Sequence, residues 1–120
     1  MVVTRTAAEE THADRVFRAL ADRTRRDVMR RAMNGTLSVS ELARMYPMST
    51  TAVQKHVAVL EKAGLVHLKR HGRQLLVQTE IDAVAKAQAL LVEFERLWRG
   101  RLERIDDVLA ETGEGVTRWQ

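Results

Sequence analysis

The residues best suited to chemistry are short polar side chains at helical spacing near position 50. Hydroxyl, amide and ammonium groups are the side-chain types that contact base edges in a DNA major groove. Gln54 can pair with adenine through two hydrogen bonds, and Lys55 can reach guanine or a phosphate. An ordinary exposed helix face has the same composition, so the pattern alone leaves both interpretations open. The candidates are Ser49, Thr50, Thr51, Gln54 and Lys55.

Two short predicted helices with a break between them would position these side chains. Ser38 and Glu41 have the spacing of a capping box at the start of the first helix. Pro47 disfavours helix at the residue before it, and Ser49 can cap the second helix. One buried stripe is predicted for that second helix, at Val53, Val57 and Leu60. This order is typical of a helix-turn-helix.

A basic β-hairpin is predicted directly after this second helix. Apolar and polar residues alternate from Val66 to His71 and again from Gln74 to Gln78, with a two-residue turn predicted at 71–72. Cations at the tip of such a wing would lie along the DNA backbone or in a minor groove, although a solvated turn has the same composition. The cations are Lys69, Arg70 and Arg73.

Helices are also predicted on both sides of this region. A short helix covers about 13–21, and a second, capped by Asp22, has an inward stripe from Val28 to Met33 and ends at a C′ Gly35. Near the C-terminus a helix of about 30 residues, from 82 to about 111, would span about 45 Å, longer than one small domain needs.

Large apolar residues recur every three or four positions along that long helix, which indicates a seam between helices. We therefore predict an isologous homodimer. Its predicted interface consists of Phe17, Leu91, Phe94, Trp98, Leu102 and Ile105.

Composition limits the remaining possibilities. The 120 residues suffice for one domain, no cysteine is present, and no apolar run is long enough to span a membrane. The net charge of +4 conceals a segregation, since residues 13–75 carry thirteen basic and five acidic side chains. A polyanionic partner is therefore expected for the middle of the chain. Absence of cysteine suits a reducing compartment, and we expect a cytoplasmic location.

Several motifs, in their order along the chain, resemble motifs of the ArsR-type winged-helix repressors. They are VFRALAD at 16–22, TRR at 24–26, LSVSELA at 37–43, LEKAGLV at 60–66 and GR at 72–73. The resemblance implies a homodimeric transcriptional regulator, usually a repressor, whose second motif helix enters the major groove of double-stranded DNA. It also implies DNA contact at Thr50, Thr51, Gln54 and Lys55 and a structural role for His56.

Metal, cofactor and enzyme functions are not expected. The segment that resembles the cysteine-bearing helix of the family's metal sensors has no cysteine, and the last helix has no histidine. The four histidines are predicted to be solvated or structural. Phosphate loops, nucleophile elbows and HExxH motifs are absent from the sequence. Two alternatives stay open: a ligand- or metal-gated sensor with an unknown effector, or a protein-binding adaptor.

The predicted fold is mainly α with a small β-hairpin, a winged helix-turn-helix followed by a long C-terminal dimerisation helix. Its boundaries are a flexible N-terminus at 1–12, a DNA-binding domain at 13–81, the long helix at 82–112 and a flexible tail at 113–120.

Overall fold

The structure, a computed structural model, describes residues 6–111, and the predictions for 1–5 and 112–120 lie outside these residues. The described chain is mainly helical with one small sheet, and this confirms the predicted fold class. Its elements in chain order are α1 Ala7–Leu20, α2 Arg23–Asn34, β1 Leu37–Ser38, α3 Val39–Ala43, α4 Thr50–Lys62, β2 Val66–His71, β3 Gln74–Thr79 and α5 Ile81–Glu111.

Helix α1 begins six residues earlier than the sequence predicts. Thr6 caps it by accepting a hydrogen bond from the backbone N–H of Glu9 at 3.1 Å. Glu9 and Glu10 in the first turn interact favourably with the positive end of the helix dipole. Residues 7–12, which the sequence analysis assigns to a flexible N-terminus, therefore belong to α1. Apolar periodicity starts only near Val16, so it could not reveal this polar first part of the helix.

The boundaries of α2 are confirmed at its start and corrected at its end. Asp22 caps the helix by accepting from the N–H of Arg25 at 3.0 Å, as predicted. Gly35 follows the helix with extended backbone, at φ −178°, so it is not the left-handed C′ residue that the sequence suggested. Met33 is 53% exposed, so the inward stripe of α2 ends before it. Because Gly35 at the end of α2 is extended and not left-handed, the chain continues from α2 toward the extended strand β1.

Local hydrogen bonds set the ends of α3 and α4. Both reciprocal bonds of the capping box between Ser38 and Glu41 are present, and Ser49 accepts from the backbone N–H at position 52, at 3.1 Å. Gly64, at φ +74°, ends α4 in a Schellman motif, in which the N–H of Leu65 donates to the carbonyl of Leu60 at 3.0 Å. The predicted start and stop of the second motif helix are thus confirmed.

The sheet has three antiparallel strands in the order β1-β3-β2. Strand β1 was not predicted, because two residues are too short for an alternating pattern. His71 pairs with Gln74, so the hairpin turn consists of Gly72 and Arg73 and lies one residue later than predicted. Gly72 has φ +64° and Arg73 does not have a positive φ, which is the pattern of a type II′ turn.

The core of the first compact unit, which runs to Ala87, is formed by side chains from α1 through the start of α5. Its largest fully buried apolar members are Val16, Val28, Leu42, Val53, Val57, Leu60, Leu65, Val66 and Val77. Ser38 is buried with them at 1% exposure, and its hydroxyl oxygen accepts the capping bond from the backbone N–H of Glu41. The second unit, from Gln88 onward, is the remainder of α5. Among the described helices, none has the length and apolar content that a membrane crossing requires.

Candidate nucleic-acid interface

Helix α4 is held in one orientation by its apolar stripe. Val53, Val57 and Leu60 are between 0% and 2% exposed. A helix fixed by such a stripe must present its opposite face outward. All five predicted contact residues are exposed: Ser49, Thr50, Thr51, Gln54 and Lys55. The hydroxyl oxygen of Ser49 already accepts the capping bond, so its O–H remains as a donor.

The hairpin carries the second predicted group of contacts. Lys69 and Arg70 occupy the outer end of β2, and Arg73 lies in the turn; all three side chains are exposed. Within residues 6–111, no carboxylate lies within ion-pairing distance of these three cations or of Lys55. Their charges are therefore available to an external polyanion.

The arginines of α2 differ from the wing cations because two of them stabilise the chain itself. Arg25 donates to the backbone carbonyls of Ala19 at 2.8 Å and Arg18 at 2.9 Å, and Arg26 donates to the carbonyl of Leu20 at 2.8 Å. The carbonyls of Ala19 and Leu20 lie in the last turn of α1, where partners within the helix are lacking. The carbonyl of Arg18 also accepts from the backbone N–H of Ala21 at 3.3 Å. Arg26, which could have served as a phosphate contact, is thus engaged within the protein.

Arg25 also joins the start of α2 to helix α4. The guanidinium of Arg25 lies 3.4 Å from Nδ1 of His56 and 4.0 Å from the carboxylate of Asp22. The hydrogen bond from the Arg25 backbone N–H, with the nearby positive charge of its side chain, lowers the pKa of Asp22. His56 is half-buried in this contact. Its contact with the start of α2 supports the structural role that the family resemblance implies.

A second polar cluster connects α2 to the break between α3 and α4. Asp27 accepts from the hydroxyl of Tyr46 at 2.6 Å and from Nε of Arg31 at 2.8 Å, both at the same oxygen. The Arg31 guanidinium also lies 5.4 Å from the centroid of the Tyr46 ring. Burial and the bond to Asp27 raise the pKa of Tyr46 to about 12. The bonds from Tyr46 and Arg31 lower the pKa of Asp27.

His67 links the two strands of the wing at their base. Its Nε2 lies 2.6 Å from Oε1 of Gln78, and its Nδ1 lies 2.6 Å from Oε1 of Glu80. These contacts hold the hairpin in register next to the start of α5. No group of three or more histidine, cysteine, aspartate or glutamate side chains that could hold a metal ion occurs among the described residues.

The predicted interface residues of α5 form an apolar surface in the second unit. Leu91, Phe94 and Trp98 are each more than half exposed, and Ile105 is 41% exposed. Leu102 is half-buried. Exposed large apolar groups that share one helix face mark a candidate interaction surface. In the first unit, Phe17 is half-buried and packs against the core, so part of its ring surface is already used.

The packed helices, the exposed polar face of α4 and the basic hairpin define a winged helix-turn-helix DNA-binding protein. A family model described as the MarR family matches residues 29–74, from the middle of α2 to the first residue of β3. The HTH-type transcriptional regulator Rv2034 of Mycobacterium tuberculosis is 36% identical to this chain over 101 residues, which is 84% of this chain and 92% of that protein.

Comparison with solved structures indicates the same class of protein as these sequence relatives. The ArsR family transcriptional regulator RHA00566 has a TM-score of 0.70 and 31% identity, covering 81% of this chain and 97% of that one. The homodimeric winged helix-turn-helix DNA-binding domain of Mb0332 from Mycobacterium bovis has a TM-score of 0.62 and 25% identity, covering 81% of this chain and 92% of that one. This chain belongs to the ArsR-type family of winged helix-turn-helix transcriptional regulators, as the motifs predicted.

Proposed function

We propose that this DNA-binding regulator is a homodimeric repressor of a pseudo-palindromic promoter site. The exposed polar face of α4, fixed by the buried stripe behind it, carries the proposal. Gln54, with Thr50 and Thr51, would contact base edges in the major groove. Lys55 and the start of α4 at Ser49 would contact guanine or the adjoining phosphates.

The wing supplies the contacts that do not depend on sequence. Lys69, Arg70 and Arg73 have no ion-pair partner within residues 6–111, so their binding to phosphate breaks no internal salt bridge. Each phosphate that they neutralise releases counterions and makes affinity depend on salt. Most of the affinity would thus come from the wing and Lys55, and most of the specificity from Gln54 and its neighbours.

The homodimer is supported by the apolar seam of α5 and by a related structure. The winged helix-turn-helix domain of Mb0332 is a homodimer. A two-fold axis through the α5 seam would bury side chains that a single chain leaves exposed, chiefly Leu91, Phe94 and Trp98. Two copies of α4 would then reach successive major grooves about 34 Å apart, which requires a pseudo-palindromic site.

Repression would follow from occupancy of the promoter. The protein would be located in the cytoplasm, because its target is DNA.

Selection of bound duplexes from a random pool tests the proposal. The expected result is an enriched site with two related half-sites and tight binding that random duplex does not compete away. Binding that is weak, abolished by moderate salt and equal for all duplexes would overturn it and favour the protein-binding adaptor.

A further inference from the structure

The chain has a single asparagine, which lies at the end of α2 and is followed directly by a glycine. Asn34 is the last residue of α2, and Gly35 has extended backbone, at φ −178°. Both residues are exposed to solvent. The side-chain amide carbon of an asparagine is an electrophile, and the backbone nitrogen of the next residue can close a five-membered ring on it. This pair therefore places a reactive carbon next to a nucleophile.

Neither reacting group is held by a hydrogen bond within residues 6–111. The N–H of Gly35 has no acceptor there, and the side-chain amide of Asn34 has no partner there. The cap residues of α1 and α4 differ, because the N–H groups of Ala21 and Ala63 donate to carbonyls of the helices that they end. Helix ends fray readily when few bonds hold them. The end of α2 can therefore reach the reactive conformation without losing a bond at Gly35.

The space around Gly35 is open to the reaction. A Cβ atom placed on Gly35 would meet no heavy atom of the described residues within 4 Å, its chain neighbours aside. Because glycine has no side chain, its backbone nitrogen can approach another group closely. The same open space means that alanine fits at position 35, and any residue can adopt its extended backbone.

We propose that Asn34 and Gly35 form a self-modification site, at which the chain converts its own asparagine into aspartate or isoaspartate with water as the co-reactant. The Gly35 nitrogen loses its proton to solvent and attacks Cγ of Asn34. The new C–N bond closes a succinimide ring, and the side-chain nitrogen takes up a proton and leaves as ammonia. Water then opens the ring. Attack at Cγ gives aspartate, and attack at the main-chain carbonyl carbon gives isoaspartate, whose main chain runs through Cβ and Cγ.

Both products place a negative charge beside the base of the wing. Asn34 lines a groove of about 530 Å³ together with His67, Gln78 and Glu80. Glu80 already places a carboxylate there, 2.6 Å from Nδ1 of His67. A second carboxylate in the groove repels the first, and it also lies at the negative end of the α2 dipole, where an anion is unfavourable.

Isoaspartate in addition lengthens the connection between α2 and β1 by one main-chain atom. Strand β1 begins at Leu37, which pairs with Val77 of β3, and Ser38 caps α3. The longer connection therefore acts on a strand joined to the wing and on the first helix of the helix-turn-helix. We expect the isoaspartate form to bind the selected duplex more weakly, a step that rests on the proposed function.

The modification is tested on the full-length protein without DNA. The parent and Gly35→Ala are incubated in the folded state under the same conditions, digested and analysed by liquid chromatography and mass spectrometry. The parent peptide that contains residue 34 should gain about 1 Da and separate into two forms. The reaction should accelerate as the pH rises, because the deprotonated nitrogen is the nucleophile. Gly35→Ala should react at least about tenfold more slowly, because its methyl group hinders the attack.

Two further measurements define the product and the control. The isoaspartate form should accept a methyl group from S-adenosylmethionine in the presence of a purified isoaspartyl methyltransferase, and Asn34→Gln should not. Urea-unfolded parent protein serves as the reference for the rate. A parent that reacts in urea but not while folded, or a Gly35→Ala protein that reacts as fast as the parent, would overturn the site.

A separate titration tests the consequence for DNA binding. Ion exchange isolates the unmodified and the isoaspartate forms, and the isoaspartate form should bind the selected duplex at least about fivefold more weakly. Equal affinities of the two forms would overturn this consequence and leave the modification site. An unmodified protein that does not prefer the selected duplex is a failure of the proposed function, which the incubation without DNA distinguishes from a failure of the site.

Discussion

The hydroxyl group of Tyr46 lies 2.6 Å from Oδ2 of Asp27, and this contact ties the break of the helix-turn-helix to α2. Tyr46 immediately precedes Pro47, between α3 and α4. Arg31 donates to the same carboxylate oxygen and packs over the tyrosine ring. The cluster therefore fixes the segment that leads into α4.

Tyr46→Phe should lower the free energy of unfolding by about 1–2 kcal/mol, because the ring remains while a hydrogen bond to a charged acceptor is lost. Urea unfolding of the two proteins measures the difference, with an unchanged m-value as the sign that only stability has changed. A variant as stable as the parent protein would show that this hydrogen bond makes no net contribution to the free energy of unfolding.

The ionisation of Tyr46 should be displaced upward in the folded protein. Its pKa is raised from 10.0 to about 12, chiefly by burial, so the folded state favours the neutral phenol. This contribution to stability is fully present below pH 10 and is lost as the pH rises toward 12. Tyr46 is the chain's single tyrosine, so the near-ultraviolet absorbance of phenolate reports it directly.

Asp27→Asn is the companion variant for this titration. It removes the negative charge next to the phenol, so the pKa of Tyr46 should fall toward its ordinary value. The parent protein would contradict the structural assignment if its native titration had a midpoint near pH 10.

Gln54→Ala should relax sequence preference at one base pair per half-site, at a cost of about 1–3 kcal/mol on the selected duplex and little on random duplex. The comparison is a competition assay with single-base variants of the site. Gln88→Ala, at an exposed glutamine of α5, is the matched control and should bind like the parent. Equal losses on selected and random DNA would remove Gln54 from base recognition.

Arg73→Ala should weaken binding to all duplexes and reduce the dependence of log K on log salt by about 1 per subunit, because one phosphate contact is lost. Arg15→Ala removes an exposed charge outside the wing and should leave the slope unchanged. A slope for Arg73→Ala that equals the parent's would exclude Arg73 from the backbone contacts.

Features set by neighbours in sequence were predictable, and those set by distant partners were not. The caps at Asp22, Ser38 and Ser49 depend on bonds to residues three positions away, so short-range patterns revealed them. The buried stripe of α4 followed from helical periodicity alone. Capping patterns and helical periodicity were enough to identify the polar face that defines the candidate site.

The polar contacts that position this face were not predicted from the sequence. Tyr46 and Asp27 are 19 residues apart, and Arg25 and His56 are 31 apart, so only the packed fold brings them together. The bond between Asp27 and Arg31 differs from these two contacts, because it joins residues one helical turn apart.

Trp98→Ala should weaken the proposed dimer by about 2 kcal/mol or more, roughly a 30-fold rise in its dissociation constant, because large aromatic side chains dominate such interfaces. Trp98 is 56% exposed in the single chain, so truncation removes contacts with a partner more than contacts within the chain. Sedimentation equilibrium over a range of concentrations measures the constant. Arg96→Ala changes a residue on the opposite side of the same helix and should leave the dimer unchanged. A Trp98→Ala protein that remains as dimeric as the parent would exclude this face of α5 from the proposed subunit interface.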